Sequence, residues 1–188
     1  MSALFARIGI LAVLATLLAG PWLSLPGYSW LSDDLGTLGA QGMPNAWVRN
    51  GGFMVFGTGI AVAAWLTRAR HLVISMALAL YGRGIVGAGA FSAFPAEPML
   101  PRDAWEDQIH RTFAAQAGIC FAIAAFARLN ASAGADLLSW IGLIAAVALP
   151  IAMLAASDWA GALQRRMFGI SFVWLWRQFP VEADADGA

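Results

Sequence analysis

The sequence contains no lysine, one cysteine and two histidines, and each shortage excludes a class of protein. Without lysine the chain cannot form a Schiff base with retinal, so it is not a rhodopsin. Cys120 lies in an apolar run and has no second thiol for an intrachain disulfide, a structural zinc site or a redox pair. His71 and His110 fall at opposite ends of the predicted bundle and cannot ligate one haem together. A net charge of zero also argues against a nucleic-acid partner.

Apolar residues are abundant instead. They make up 60% of the 188 residues, and the mean hydropathy is +0.69. One soluble core cannot hide so much apolar surface, whereas apolar runs near about twenty residues match the thickness of a bilayer. We expect an all-α protein, a multi-pass integral membrane bundle of six transmembrane helices. It forms one domain over residues 1–180, followed by a short acidic, disordered tail over residues 181–188.

The apolar runs place the six predicted spans. They cover about Leu4–Gly20, Ala46–Leu66, His71–Phe94, Ile109–Leu129, Leu137–Ala156 and Ala162–Phe179. The last is the weakest, because arginines at both of its ends must extend to the membrane interfaces. The first run could instead be a cleaved signal peptide, but the Gly20-Pro21 pair is a poor cleavage site, so we favour a retained helix.

Arginine bias predicts the orientation of the bundle. With both termini in the cytoplasm, the inner side receives five arginines. The outer side receives most of the acids, together with Arg102 and the membrane-edge arginines Arg49, Arg111, Arg165 and Arg166. The inner arginines are Arg7, Arg68, Arg70, Arg128 and Arg177. A composition rich in alanine, glycine and arginine is typical of bacterial proteins from GC-rich genomes, so the predicted location is the bacterial inner membrane.

Glycines are concentrated in the second and third predicted spans. In lipid, small residues allow two helix backbones to approach closely and thereby hold helices together. We therefore expect these two helices to be in intimate contact. The residues concerned are Gly51, Gly52, Gly57, Gly59, Gly82, Gly84, Gly87 and Gly89.

Polar residues at the predicted outer ends of the helices form the candidate ligand site. Arginine pairs well with phosphate and a carboxylate can meet an ammonium, so such a cluster could bind a zwitterionic or anionic lipid headgroup. Alternatively, the charges pair with each other and lock the loops. Arg83, near the middle of its span, is expected to have a structural partner such as Asp33 or Asp34. The candidates are Asp33, Asp34, Asn50, Arg83, Glu97, His110, Arg111, Gln164 and Arg165.

Catalytic chemistry has little support in the sequence. A metal-dependent hydrolase needs about three ligands at one depth, and only His110 with Asp33, Asp34 or Glu97 could supply them. A hydrolytic set of Ser32, His110 and Asp34 lacks a nucleophile elbow. We therefore expect no cofactor and no metal, and a non-catalytic role rather than an enzyme.

Short motifs at the helix ends resemble a six-helix bacterial and archaeal membrane family known as domain of unknown function 998. The resemblance covers about residues 28–174 and implies a six-helix membrane fold without established catalytic residues. That family is similar to the FRAG, DRAM and SFK-like superfamily, some members of which are linked to lipid handling. Glu97 stands where aspartate is commoner in the family, and Arg83 interrupts a usually apolar segment. The motifs are Ser32-Asp33-Asp34-Leu35-Gly36, Pro44-Asn45-Ala46-Trp47, Asn50-Gly51-Gly52-Phe53, Phe94-Pro95-Ala96-Glu97, His110 and Gly161-Ala162-Leu163-Gln164-Arg165.

Three functions compete at this point. The first is lipid binding or handling at the outer polar cluster, with membrane lipids as partners. The second is an accessory or scaffold subunit of a larger respiratory or photosynthetic complex, with other integral membrane subunits as partners. The third is a small transporter, suggested by Arg83 and Gln116 within the spans. The first is our leading hypothesis.

Overall fold

A computed structural model describes residues 1–69, 71–100, 102–131 and 136–180. The predicted acidic tail at 181–188 and the inner arginine Arg70 lie outside these ranges. The described chain is all-α, with seven α-helices: α1 (Ser2–Ala19), α2 (Leu35–Leu38), α3 (Ala46–Thr67), α4 (Leu72–Ala90), α5 (Ala104–Ala131), α6 (Leu137–Ala155) and α7 (Ala160–Gln178). Short 3₁₀ turns occupy Gly20–Leu23 and Ser157–Trp159.

Five of these helices, in the parts of the chain that the structure covers, are long and apolar enough to cross a membrane. They are α1 (with the 3₁₀ turn that follows it), α3, α4, α5 and α6, so this is a multi-pass membrane protein by helix length and composition. The sixth predicted span forms α7, but this helix is not among those five. Its first turns contain Gln164, Arg165 and Arg166, and its last turn contains Arg177.

The long helices pack side by side in chain order, and α7 returns to α1. Arg7 of α1 contributes to this closure, since its guanidinium lies 4.6 Å from the ring of Trp176 in α7. Aromatic rings fill the centre. Phe56 of α3 packs edge-on against Phe172 of α7 with ring centroids 5.2 Å apart, and Phe121 of α5 packs in the same way against Trp174 of α7 at 5.2 Å.

The glycines of α3 and α4 confirm the predicted close contact between these helices. A Cβ atom added to Gly57 would lie 2.5 Å from the carbonyl oxygen of Gly82, so only glycine permits this crossing. The other glycines serve further interfaces, however. Gly59 faces the backbone of Phe5 in α1, and Gly84 faces Ala117 in α5, whereas Gly51 has open space around it. The glycines thus join four helices rather than two.

Two helix boundaries differ from those predicted by more than two residues. Helix α4 ends at Ala90, and Phe91 is already extended with φ −114° and ψ 137°. Helix α5 begins at Ala104, five residues before the predicted start, because the Asp103 carboxylate accepts hydrogen bonds from the amides of Trp105 (2.9 Å) and Glu106 (3.2 Å). Hydropathy located the apolar core of each helix, while the early start of α5 depends on the capping side chain of Asp103.

Candidate functional site

Three connections meet at one end of the bundle, which we call the loop end. They are residues 20–45, residues 91–103 and residues 156–159, and they lie where α1, α4 and α6 end and α3, α5 and α7 begin. The first and longest folds over the bundle through α2. Asp34 caps α2, since its Oδ1 accepts hydrogen bonds from the amide (2.9 Å) and the hydroxyl (3.1 Å) of Thr37. The amide of Leu35 donates to Oε1 of Gln164 in α7 at 2.5 Å, which joins the loop to the last helix.

Arg165 holds the preceding part of this loop. Its Nη1 donates to the carbonyl oxygens of Trp30 (2.9 Å) and Asp33 (3.0 Å), and its Nη2 donates to the hydroxyl of Tyr28. Burial raises the pKa of that hydroxyl, and the Arg165 charge opposes the rise. The Asp33 carboxylate accepts from the amide of Ser29 at 2.7 Å. Both predicted site residues, Asp33 and Arg165, are therefore used to hold the loop.

Arg49, one turn into α3, is the most buried charge at this end, with 4% of its surface exposed. Its Nε donates to the carbonyl oxygen of Leu35 (3.0 Å), and its Nη1 donates to the carbonyl oxygen of Ala88 (3.0 Å) and to Oδ1 of Asn50 (3.0 Å). The guanidinium also lies 3.8 Å from the ring centroid of Phe53. These bonds use three of the five N–H groups of an arginine, so the two on Nη2 have no hydrogen-bond partner within the described chain.

Side chains at the beginning of α5 form hydrogen bonds with the backbone groups that follow the end of α4. Nδ1 of His110 lies 2.8 Å from the carbonyl oxygen of Phe91, which can only accept, so Nδ1 carries the hydrogen. Oδ1 of Asp107 accepts from the amide of Phe94 at 2.8 Å, and its Oδ2 pairs with Nε of Arg111 at 2.6 Å. His110 and Asp107 are 8% and 5% exposed, so both are fixed in place by burial as well.

Gln41 connects the first loop to the second. Its side chain donates to the carbonyl oxygens of Ser92 (3.1 Å) and Asp103 (2.9 Å) and accepts from the amide of Asp103 at 2.6 Å. Its backbone amide donates to Ala93 at 3.0 Å, and Glu106 accepts from the amide of Ser92 at 2.7 Å. Within the described residues, the loops at this end are therefore held mainly by side chains bonded to backbone, with one ion pair, Arg111–Asp107, among them.

A cavity of about 830 Å³ opens beneath these loops. Its polar wall carries Asp34, Arg49, Asp107, His110, Arg111 and Gln164. The remaining wall is mainly apolar and includes Tyr81, Ile119, Phe121, Ala146, Pro150, Met153, Leu154 and Phe168. Ile119 of α5 is 61% exposed and Leu154 of α6 is 88% exposed, so the cavity reaches the flank of the bundle between these two helices. Its volume is in the range of small-molecule sites.

The structure brings four of the predicted site residues to the cavity wall: Asp34, His110, Arg111 and Gln164. Asp33, Asn50 and Arg165 lie at the same end but bind the loops. Arg83 and Glu97 are exposed and do not line the cavity.

Arg83 does not pair with Asp33 or Asp34 as predicted. Its guanidinium lies 5.9 Å from the ring of Phe113 on the outer surface of the bundle. The prediction was wrong because Arg83 lies on the exposed surface of α4, whereas its neighbours Gly82 and Gly84 face α3 and α5.

Sequence reasoning missed three residues that shape the site: Arg49, Gln41 and Asp107. Arg49 is predicted only as a membrane-edge arginine, although it carries the same signal as its neighbour Asn50, a polar group one turn inside an apolar helix. A charge at that position is costly unless it is bonded or hydrated, so this signal could have identified it. Gln41 and Asp107 lie in polar segments and gave no comparable signal.

The chain belongs to the membrane family described as protein of unknown function (DUF998), whose family model matches residues 7–176. No curated protein and no solved structure matches the chain.

The chemistry available at the loop end is recognition of a polar group beside an apolar surface. In the described ranges, no three histidine, cysteine, aspartate or glutamate side chains are grouped so that they could hold a metal ion. What the cavity does combine is a buried guanidinium with unused donors, a carboxylate, an imidazole and an amide on one wall, and hydrocarbon on the others.

Proposed function

We propose that this protein binds a membrane lipid in the loop-end cavity, without chemical change to the lipid. The headgroup lies against Arg49, His110, Gln164 and Asp34, and an acyl chain lies along the apolar wall toward Phe121. The observation that carries this proposal is the amphipathic wall of a cavity that reaches the flank of the bundle, because a lipid in the surrounding bilayer can enter there without crossing water.

Arg49 supports a polar headgroup in this position. The described part of the chain places no carboxylate within 4.0 Å of its guanidinium, and a buried charge without a close counter-ion is costly. Carbonyl oxygens and the Phe53 ring stabilise it in part. A ligand oxygen bonded to Nη2 would complete its hydrogen bonding.

We further propose that all six long helices cross the bacterial inner membrane and that the loop end faces outward. Helix α7 packs along α6 and touches α1, so it lies in the same layer as the five apolar helices. The opposite end carries Arg7, Arg68, Arg128 and Arg177. The loop end also carries arginines, but Arg49 and Arg165 are bonded to backbone carbonyls and Arg111 to Asp107, so the remaining bias favours a cytoplasmic position for the opposite end.

Filling the cavity tests the proposal directly. Gly118 lines the cavity, and a Cβ atom there would meet nothing within 4 Å, so Gly118→Leu adds bulk to the cavity without forcing the backbone apart. Gly169 in α7 is equally free of neighbours but does not line the cavity, which makes Gly169→Leu the matched control. We expect Gly118→Leu to lower lipid retained after detergent purification about tenfold or more, the effect of losing about 1.4 kcal/mol of binding free energy.

Retained lipid is counted by native mass spectrometry of the purified protein. Gly169→Leu should retain as much lipid as the unmodified chain. If Gly118→Leu keeps its lipid while folding normally, the cavity does not hold it and the proposed function is wrong.

A further inference from the structure

Two groups of opposite charge face the cavity and attract each other without forming a contact ion pair. Arg49 and Asp34 both line it, yet no ion pair between them at 4.0 Å or less is present in the described ranges. Each also has an unused atom. Among the described residues, Nη2 of Arg49 has no acceptor and Oδ2 of Asp34 has no donor, because the bonds from Thr37 both end on Oδ1.

The other charges on this wall are already compensated. Asp107 is paired with Arg111 at 2.6 Å and also accepts from the Phe94 amide. Arg49 and Asp34 are therefore the pair of charges left to meet a ligand, one cationic and one anionic. A ligand with only a negative charge would satisfy Arg49 but lie close to the Asp34 carboxylate, whereas a zwitterion can satisfy both groups.

Resting on the proposed function, we infer that the lipid is a zwitterionic phospholipid with a primary ammonium group, as in phosphatidylethanolamine. Its phosphate oxygen accepts hydrogen bonds from Nη2 of Arg49, because guanidinium donors match phosphate oxygens. Its ammonium donates to Oδ2 of Asp34. A primary ammonium has N–H groups for this bond, which a trimethylated ammonium lacks.

Neighbouring aspartates provide a matched pair of variants. Asp34→Asn removes the charge but keeps a side-chain oxygen that can cap α2, since asparagine is as good a cap as aspartate. Asp33→Asn removes an equal charge one residue earlier. Asp33 does not line the cavity, and asparagine can still accept from the Ser29 amide there. General electrostatic effects are thus the same in both variants.

The experiment measures competition between dioleoyl phosphatidylethanolamine and dioleoyl phosphatidylglycerol for the purified protein in detergent by native mass spectrometry. The unmodified chain and Asp33→Asn should prefer phosphatidylethanolamine. Asp34→Asn should lose about tenfold of that preference or reverse it, which is the scale of one hydrogen bond between charged groups. Equal preference in Asp34→Asn and the unmodified chain, or a preference of the unmodified chain for phosphatidylglycerol, would overturn the inference.

Two further measurements separate the possible failures. If Gly118→Leu still abolishes lipid retention while Asp34→Asn leaves the preference unchanged, the headgroup assignment fails and lipid binding in the cavity stands. If Gly118→Leu retains lipid, both fail. Free O-phosphoethanolamine at millimolar concentration should not displace the lipid, because the apolar wall contributes to binding; displacement would assign the site to a soluble ligand and overturn the inference.

Discussion

Arg49 connects three segments that are distant in the sequence. Its guanidinium bonds the carbonyl oxygen of Leu35 at the start of α2 and that of Ala88 near the end of α4. Ala88 lies within the last four residues of α4, where carbonyl groups lack a partner inside the helix. A positive charge at this end of a helix also interacts favourably with the helix dipole. One side chain therefore fixes the covering loop, two helices and one wall of the cavity.

Removing this guanidinium should be far more damaging than removing an exposed one. Arg49→Leu leaves two backbone carbonyls and the Asn50 amide oxygen without their donor, at about 1–3 kcal/mol for each buried group. We expect a large fall in the apparent melting temperature of the protein in a mild detergent. Arg83→Leu is the control, because Arg83 is exposed on the outer surface of the bundle and its guanidinium lies 5.9 Å from the ring of Phe113. Similar melting temperatures for the two variants would contradict this account.

Part of the candidate site could be predicted from the sequence. His110 and Gln164 were selected because they are polar groups at the ends of apolar helices, and both line the cavity. Arg165 and Asp33 carried the same signal but hold the loop instead. Sequence alone cannot separate these two uses, because the difference is whether a side chain meets a backbone carbonyl or an open volume.

At the scale of helices, hydropathy predicts where the apolar segments lie, and capping side chains account for some of the boundaries that it does not predict. Five predicted spans overlap α1, α3, α4, α5 and α6 because uninterrupted hydropathy is a strong signal, and the weaker sixth overlaps α7. The early start of α5 depends on Asp103, and α2 depends on the cap from Asp34. Helix α2 has only four residues, Leu35–Leu38, and its docking on Gln164 spans 129 residues of sequence, so no local pattern predicts it.

The close packing of α3 on α4 allows a prediction about the stability of the helix bundle. A methyl group at Gly57 would meet the backbone oxygen of Gly82, which cannot move independently, so Gly57→Ala should destabilise the bundle by about 1–3 kcal/mol. Gly51 lies in the same helix with nothing within 4 Å of a Cβ atom. Gly51→Ala should therefore be neutral or stabilising by up to about 1 kcal/mol, because alanine favours helix.

Thermal unfolding of the two variants in the same detergent distinguishes steric packing from helix propensity. Propensity alone would make both substitutions stabilising. If Gly57→Ala is as stable as Gly51→Ala, the contact between α3 and α4 is looser than the backbone approach described above.

On the scale of the whole molecule, the cavity follows from the way the helices are joined. Helices α5 and α6 meet near Phe121 and Gly142, where a Cβ atom on the glycine would lie 3.7 Å from the Phe121 ring. Nearer the loop end, Ala146, Pro150 and Leu154 line the cavity instead of touching α5 closely. Pro150 lies inside α6, and a proline there removes a helix hydrogen bond and favours a bend. The site is thus a consequence of tertiary packing, which the sequence did not reveal.

The proposed arrangement of the bundle in the membrane can be tested with single cysteines in a Cys120→Ala background. Ser32, Asp158, Ala69 and Pro180 are all exposed; the first two lie at the loop end and the last two at the opposite end. A membrane-impermeant maleimide added to spheroplasts should label Ser32→Cys and Asp158→Cys, and should label Ala69→Cys and Pro180→Cys only after permeabilisation. The reverse pattern would invert the orientation. Labelling of both Asp158→Cys and Pro180→Cys from one side would mean that α7 does not cross the membrane. Helix α7 would then pack along α6 with one face in water, which the other five long helices do not require.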